Sequence, residues 1–258
     1  MSYWADRMAE AQNRLTNKSI RQTEKQLRKY YAAAMEKTIA DFEATYEKIL
    51  NATEEGRQPT PADLYKLDKY WQSQASLRRE LQKLGDKQIA LLSKQFEENW
   101  FEIYYSFGEL GGAAFSSIDN AAVQQMINQI WVADGKSWSQ RIWGNTQRLA
   151  AELNEGLIHC VATGKKPSEL KKVLQERFGV SYSNADMLVR TEMAHIQTQA
   201  AKQRYEDSGV LEVEVWAPKD ERQCEICGEL HTKRFPVGGQ MPIPAHPRCR
   251  CCVIPVVE

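Results

Sequence analysis

The sequence predicts a mainly α fold, built of long amphipathic helices and ending in a small α+β unit. Three observations carry that expectation. Apolar residues recur at spacings of three and four from Ile20 to Ala201, the period of helices that bury one face. Alternation with period two, the mark of a half-exposed strand, first appears at Leu211, Val213 and Val215. Finally, five of the six cysteines fall between Cys224 and Cys252, with His246 among them. Such a concentration lets a unit too small for its own apolar core be stapled by zinc. The organisation expected is a helical N-terminal region (1–112), a helical body (113–209) and a zinc-binding C-terminal β unit (210–258).

The first amphipathic stripe runs through Leu27, Tyr31, Ala34, Met35, Ile39, Phe42, Tyr46 and Ile49, close to a heptad. Gly56, Pro59 and Pro61 break it, because proline lacks the amide donor that a helix needs. A second run opens near Pro61 and continues through Leu77, Leu81, Leu84, Leu92, Phe96, Trp100 and Phe107. Its aromatic group at Phe96, Trp100, Phe101, Tyr104, Tyr105 and Phe107 has helical spacing and reads as core rather than as a base-stacking platform. Gly108, Gly111 and Gly112 mark a joint. Asp119 can cap a short helix reaching Ile130 and Trp131, and Ser137 can cap the next, which buries Trp138, Ile142, Leu149, Leu153, Leu157 and Val161. Gly164 ends that helix and Pro167 opens another, with a stop expected at Gly179 and a fresh cap at Ser183 or Asn184. The helix after it carries Thr191, Ala194, Thr198 and Ala201, small residues suited to close packing. Gly209 stops it, and strands follow at 211–216, 235–237 and 252–257.

Composition narrows the function classes. Of the 258 residues, 42% are hydrophobic and 26% charged, which excludes global disorder. Lys plus Arg and Asp plus Glu each total 34, and the pI is near 6.9. That balance argues against a protein that coats nucleic acid by charge neutralisation. A local patch of Lys233, Arg234, Arg248 and Arg250 still allows a DNA contact. No apolar run reaches the ~20 residues of a membrane span. Met1-Ser-Tyr-Trp-Ala-Asp-Arg7 lacks the order of a secretory signal, so a reducing cytoplasm is expected.

Chemistry concentrates after Asp220. Cys224 and Cys227 have the C-x-x-C spacing that aims two thiolates at one point, and His246 with Cys249 or Cys251 can supply the second pair. One structural zinc held by Cys224, Cys227, His246 and one of Cys249 and Cys251 is the expected cofactor. A disulfide fits poorly without a secretory signal, and a thioredoxin-like redox pair would need a βαβ setting. Buried free thiols would not cluster. His231 is read as solvent-facing and Cys160 as a small buried hydrophobe. Arg190 and Glu192 are read as members of helical ion pairs rather than as catalysts.

The pattern Asp220-x-Arg222-x-Cys224-x-x-Cys227, Phe235 and Pro244-x-His246-Pro247-x-Cys249-Arg250-Cys251 resembles the tail of the phage minor head proteins, the Mu F-like head morphogenesis family. Trp138-x-x-Arg141, Arg190-Thr191-Glu192 and Trp216-Ala217 extend the resemblance upstream. Gln223, where a small hydroxylated residue is expected, and the extra Cys252 depart from the pattern. The resemblance implies a minor structural protein of a phage head. It would be found in the virion and, during assembly, in the host cytoplasm. It would bind the portal protein and head subunits and serve in head morphogenesis and DNA packaging or delivery. A zinc-ribbon-type nucleic-acid-binding module is the alternative. No phosphate loop, H-E-x-x-H, G-x-S-x-G or deaminase signature is present, so no enzyme and no small-molecule substrate are expected.

Overall fold

The computed structural model describes residues 2–106 and 118–256. In chain order its elements are α1 (Ser2–Ala52), α2 (Pro61–Tyr65), α3 (Asp68–Ser106), α4 (Asn120–Ile127), α5 (Trp138–Ala162), α6 (Pro167–Asp207), β1 (Glu212–Trp216), α7 (Glu225–Leu230), β2 (Arg234–Pro236) and β3 (Cys252–Pro255). The joint expected at Gly108, Gly111 and Gly112, and with it the first domain boundary, lies outside the described residues, as do Phe107 and Val257. Two compact units are formed. One gathers the described residues of Met1–Glu24, Leu91–Trp138 and Asp186–Glu258, the other Lys25–Ala90 and Ser139–Ala185.

The second unit is a helical core. Tyr31, Phe42, Tyr46 and Ile49 of α1 meet Leu77, Leu81 and Leu84 of α3, Leu149, Leu153 and Leu157 of α5, and Leu170, Leu174 and Phe178 of α6. The stripe expected on α1 is therefore the buried one. Thr60 caps α2: its hydroxyl accepts the Asp63 amide at 3.3 Å, and the Asp63 carboxylate accepts the Thr60 amide at 3.0 Å. This reciprocal pair satisfies two amides that a helix start leaves open, and Pro61 has no amide to satisfy. Gly164 sits at φ 63° just beyond α5, a left-handed position that suits glycine at a helix end. The hydroxyl of Tyr31 bonds Gln88 at 3.4 Å and Ser181 at 3.3 Å in the interior, where burial pushes its pKa up to about 12.

The stop expected at Gly179 and the cap at Ser183 or Asn184 do not occur; α6 runs unbroken from Pro167 to Asp207. A glycine inside a helix costs only about 1 kcal/mol relative to alanine. Burial of Phe178 and Ala185 on the core outweighs that, and the Ser181 carbonyl is held further by Asn145 at 2.8 Å. Gly179 is exposed, and nothing lies within 4 Å of the Cβ it lacks. Gly179→Ala is expected to stabilise the protein by about 0.5–1 kcal/mol in denaturant titration; destabilisation would show that the helix needs the glycine.

The first unit holds the sheet. Its order is β2-β1-β3, with β1 antiparallel to both neighbours and Val213 opposite Phe235, Val215 opposite Val253. Cys252 and Ile254 of β3 pack on Ala9 of α1. Gln12, fully buried, donates to the Val253 carbonyl at 2.8 Å and to the Tyr205 hydroxyl at 3.1 Å. Helix α1 thus starts well before the Ile20 that periodicity marks, because buried Gln12, Thr16, Ser19 and Thr23 interrupt the apolar stripe. Phe96, Trp100 and Tyr104 are core, as expected, whereas Tyr105 is exposed. Helix α4 ends at Ile127, short of Trp131. Trp131 instead stacks on His195 of α6 with ring centroids 4.2 Å apart, and its indole N–H donates to Glu192 at 2.9 Å. Residues 192–198 of α6 are all buried, the packed helix that the small-residue stripe implies. Burial lowers the His195 pKa to about 4.

Candidate metal centre

Two loops converge beside the sheet. In the first, the Asp220 carboxylate accepts the Arg222 amide at 3.0 Å and the Asp220 carbonyl accepts the Gln223 amide at 2.9 Å, closing a turn. That turn delivers Cys224 to the N-cap of α7, where its sulfur accepts the Cys227 amide at 3.4 Å. The C-x-x-C spacing is therefore N-cap to third helical residue, which points both sulfurs the same way. In the second loop the His246 carbonyl accepts the Cys249 amide at 3.2 Å, with Arg248 between them at φ 60°. Arg248 is held in this left-handed conformation from α6: its amide donates to the Thr191 hydroxyl at 3.0 Å and its guanidinium to Asp186 at 3.0 Å. Arg250 ties the loops together, donating to both Asp220 oxygens at 2.5 and 2.6 Å. Two parallel bonds from a planar guanidinium fix orientation as well as distance.

The five residues singled out from spacing come together as two overlapping trios, Cys224-Cys227-His246 and Cys227-Cys249-Cys251, with the donor atoms of each within 4.8 Å of one another. Cys227 belongs to both. The His246 Nε2 lies 3.2 Å from the Cys224 sulfur and 3.1 Å from that of Cys227, and the Cys227 and Cys249 sulfurs are 3.8 Å apart. His246 Nδ1 is 2.8 Å from the Pro247 carbonyl. A carbonyl can only accept, so Nδ1 carries the proton and Nε2 presents its lone pair to the sulfurs. Cys227, Cys249 and Cys251 are all buried. Burial pushes the Cys227 thiol up to about 12. A hydrogen bond from Cys251, with the Cys251 and Ala245 amides, holds Cys249 down to about 5, and the same bond together with burial raises Cys251. The cluster can hold a metal ion: four sulfurs and one imidazole nitrogen are a soft donor set.

Cys252 belongs to neither trio; its thiol faces the Trp216 carbonyl at 3.8 Å on the other side of β3. His231 does not face solvent as its loop position suggests. Its Nδ1 accepts the Ala217 amide at 3.2 Å and its ring meets Trp216 edge-on at 4.7 Å, so it braces the end of β1. Cys160 is buried, as expected. Arg190 pairs with Asp186 at 3.3 Å and with Glu24. Of the basic patch, Arg234 faces Glu214 at 3.9 Å, Arg248 faces Asp186 and Arg250 faces Asp220. Sequence reasoning missed Thr191, Asp186 and the pairing role of Asp220. The one signal was the place of Thr191 in the Arg190-Thr191-Glu192 match, to which the bond from the Arg248 amide gives a role.

The family model described as Phage Mu protein F like protein matches residues 151–254. Among curated proteins, the chain is 25% identical over 186 residues to the NAD(+)--arginine ADP-ribosyltransferase EFV of Enterococcus faecalis (strain ATCC 700802 / V583), covering 64% of this chain. The match spans 38% of that relative's length. No solved structure matches the chain. Among the described residues no helix is long and apolar enough to cross a membrane. The matched segment contains the α6 helix, the sheet and both cysteine loops, so over residues 151–254 the chain is similar to the Phage Mu protein F like family that its motifs resemble.

Proposed function

We propose that this protein is a structural component of a phage head that binds the portal and neighbouring head subunits, carries one zinc and performs no catalytic turnover. The observation that carries the reading is the donor cluster inside the Mu F-like segment. A tetrahedral zinc shell with Zn–S bonds of ~2.3 Å sets sulfurs about 3.8 Å apart, the separation found between Cys227 and Cys249. Four protein ligands fill such a shell and leave no position for a substrate water, which marks a structural ion rather than a reactive one. Its chemistry here is to cross-link the two loops. The ADP-ribosyltransferase activity in the curated relative's name is not carried over, since this chain spans 38% of that protein.

Pairing of Arg234, Arg248 and Arg250 with carboxylates leaves little of the basic patch for counterion release. A partner protein, met through mixed surface, fits better than DNA. The test is co-expression with a phage portal protein from the same genome, followed by pull-down at low and high salt. Retention at both salts is expected. Failure to bind that portal, combined with tight, salt-sensitive DNA binding, would overturn the reading in favour of the nucleic-acid module.

A further inference from the structure

A groove of about 800 Å³ lies in the first unit between the start of α1, α6 and the two cysteine loops. Five arginines line it: Arg14, Arg190, Arg222, Arg248 and Arg250. Three are already engaged, Arg190 and Arg248 by Asp186 and Arg250 by Asp220. Arg14 is exposed on α1 and has no ionic partner among the described residues. Arg222 has a side chain 80% exposed, and its 3.9 Å neighbour Asp220 is already gripped by Arg250 at both oxygens. Asn13, Asn17 and Gln197 add amide groups to the same wall. Arg14, on α1, and Arg222, in the first cysteine loop, are thus the two guanidiniums of this polar groove with free hydrogen-bonding edges.

We propose that this groove receives a carboxylate-bearing segment of a partner protein, clamped by Arg14 and Arg222. This rests on the reading above only for the identity of the partner. A guanidinium presents two parallel N–H donors that match a carboxylate as well as a phosphate, so the surroundings decide. Glu10 and Asp186 also line the groove, and Asp220 and Glu24 pair with its arginines. Five guanidiniums against these four carboxylates leave one net positive charge. A continuous phosphate backbone would meet Glu10 and Asp186 along its path, and counterion release needs many uncompensated cations. No Phe, Tyr or Trp lines the groove to stack a base. Two acidic side chains flanked by neutral or basic ones match it at each point.

The experiment uses the full, metal-bearing chain and the double variant Arg14→Ala/Arg222→Ala. Both residues are exposed or nearly so, and helical circular dichroism should be unchanged. A fluorescent peptide with two glutamates flanked by serine and lysine residues is titrated by anisotropy, with a short DNA duplex as competitor. The peptide is expected to bind the parent chain and to lose about tenfold in affinity in the variant, two charge-assisted contacts being removed. The duplex is expected not to displace it. Equal peptide affinity in both chains, or no peptide binding at all, overturns the proposal. So does a duplex that displaces the peptide and itself loses affinity in the variant, which would make the groove a nucleic-acid site. The portal pull-down separates the two readings. Equal capture of portal by parent and variant removes the groove as its docking site and leaves the head role standing. Peptide binding lost in the variant, with no portal captured by the parent, does the reverse.

Discussion

Cys227→Ser is expected to release the metal and unfasten the C-terminal loops while leaving the helices intact. Cys227 is the residue shared by both donor trios, and it is buried, so no neighbouring thiol can replace it without moving its loop. Structural zinc contributes on the order of 10 kcal/mol of apparent folding free energy, far more than a unit of this size gathers by burial. Elemental analysis should find about one zinc per chain in the parent protein and none in the variant. Proteolysis should begin between Asp220 and Cys251 in the variant, with helical circular dichroism nearly unchanged. Cys249→Ser should behave alike and Cys251→Ser should largely keep the metal. Cys249 shares a turn with His246, whose carbonyl accepts its amide at 3.2 Å, and its sulfur lies 3.8 Å from that of Cys227, the spacing of two thiolates on one zinc. Full zinc retention by Cys227→Ser would remove the proposed centre. The opposite behaviour of the Cys249 and Cys251 variants would exchange the fourth ligand only.

Gly85→Ala should destabilise the protein by about 1–3 kcal/mol, although alanine in a helix interior is ordinarily worth up to about 1 kcal/mol over glycine. A Cβ on Gly85 of α3 would lie 2.3 Å from a ring carbon of Trp143 on α5, with two more ring atoms inside 3.0 Å. An indole moves as one rigid plate, so the contact is relieved only by shifting the whole ring or the helix. Gly144→Ala on α5 is the matched control, since nothing lies within 4 Å of its missing Cβ. It should stabilise or leave stability unchanged. Denaturant midpoints for the two variants moving in the same direction would show that the Trp143 contact is not limiting.

Legibility from sequence followed the physics of each residue type. The stripe from Leu27 to Ile49 could be read because burial there is apolar and repeats with the helical period. The eighteen residues from Ser2 to Ser19 that precede Ile20 in α1 could not, because their inward face uses Gln12, Thr16 and Ser19, whose burial depends on partners such as Val253 far along the chain. Gly179 misled for a related reason: local propensity marks a stop, and packing of Phe178 and Ala185 overrides it. The convergence of Cys224, Cys227, His246, Cys249 and Cys251 was legible because cysteine and histidine spacing restricts where such side chains can meet. The supports of the site were not. Thr191 and Asp186 are ordinary helix residues until Arg248 is placed against them, and His231 is an ordinary loop residue until Trp216 and the Ala217 amide are beside it.

The bond from Gln12 to the Val253 carbonyl joins residues 241 positions apart. During translation the amide of Gln12 must therefore wait for a further 241 residues to be made. At about 5–20 residues per second, that interval is roughly 12–48 s. Ala9 waits equally long for Cys252 and Ile254, the strand that covers it. Lys25–Ala90 and Ser139–Ala185, by contrast, have all been synthesised before β1 is. The order of synthesis thus lets the helical core assemble first. The β3-facing side of the opening turns of α1 remains uncovered until β3 arrives, so a ribosome stalled between Ala185 and Cys252 should present that surface to chaperones.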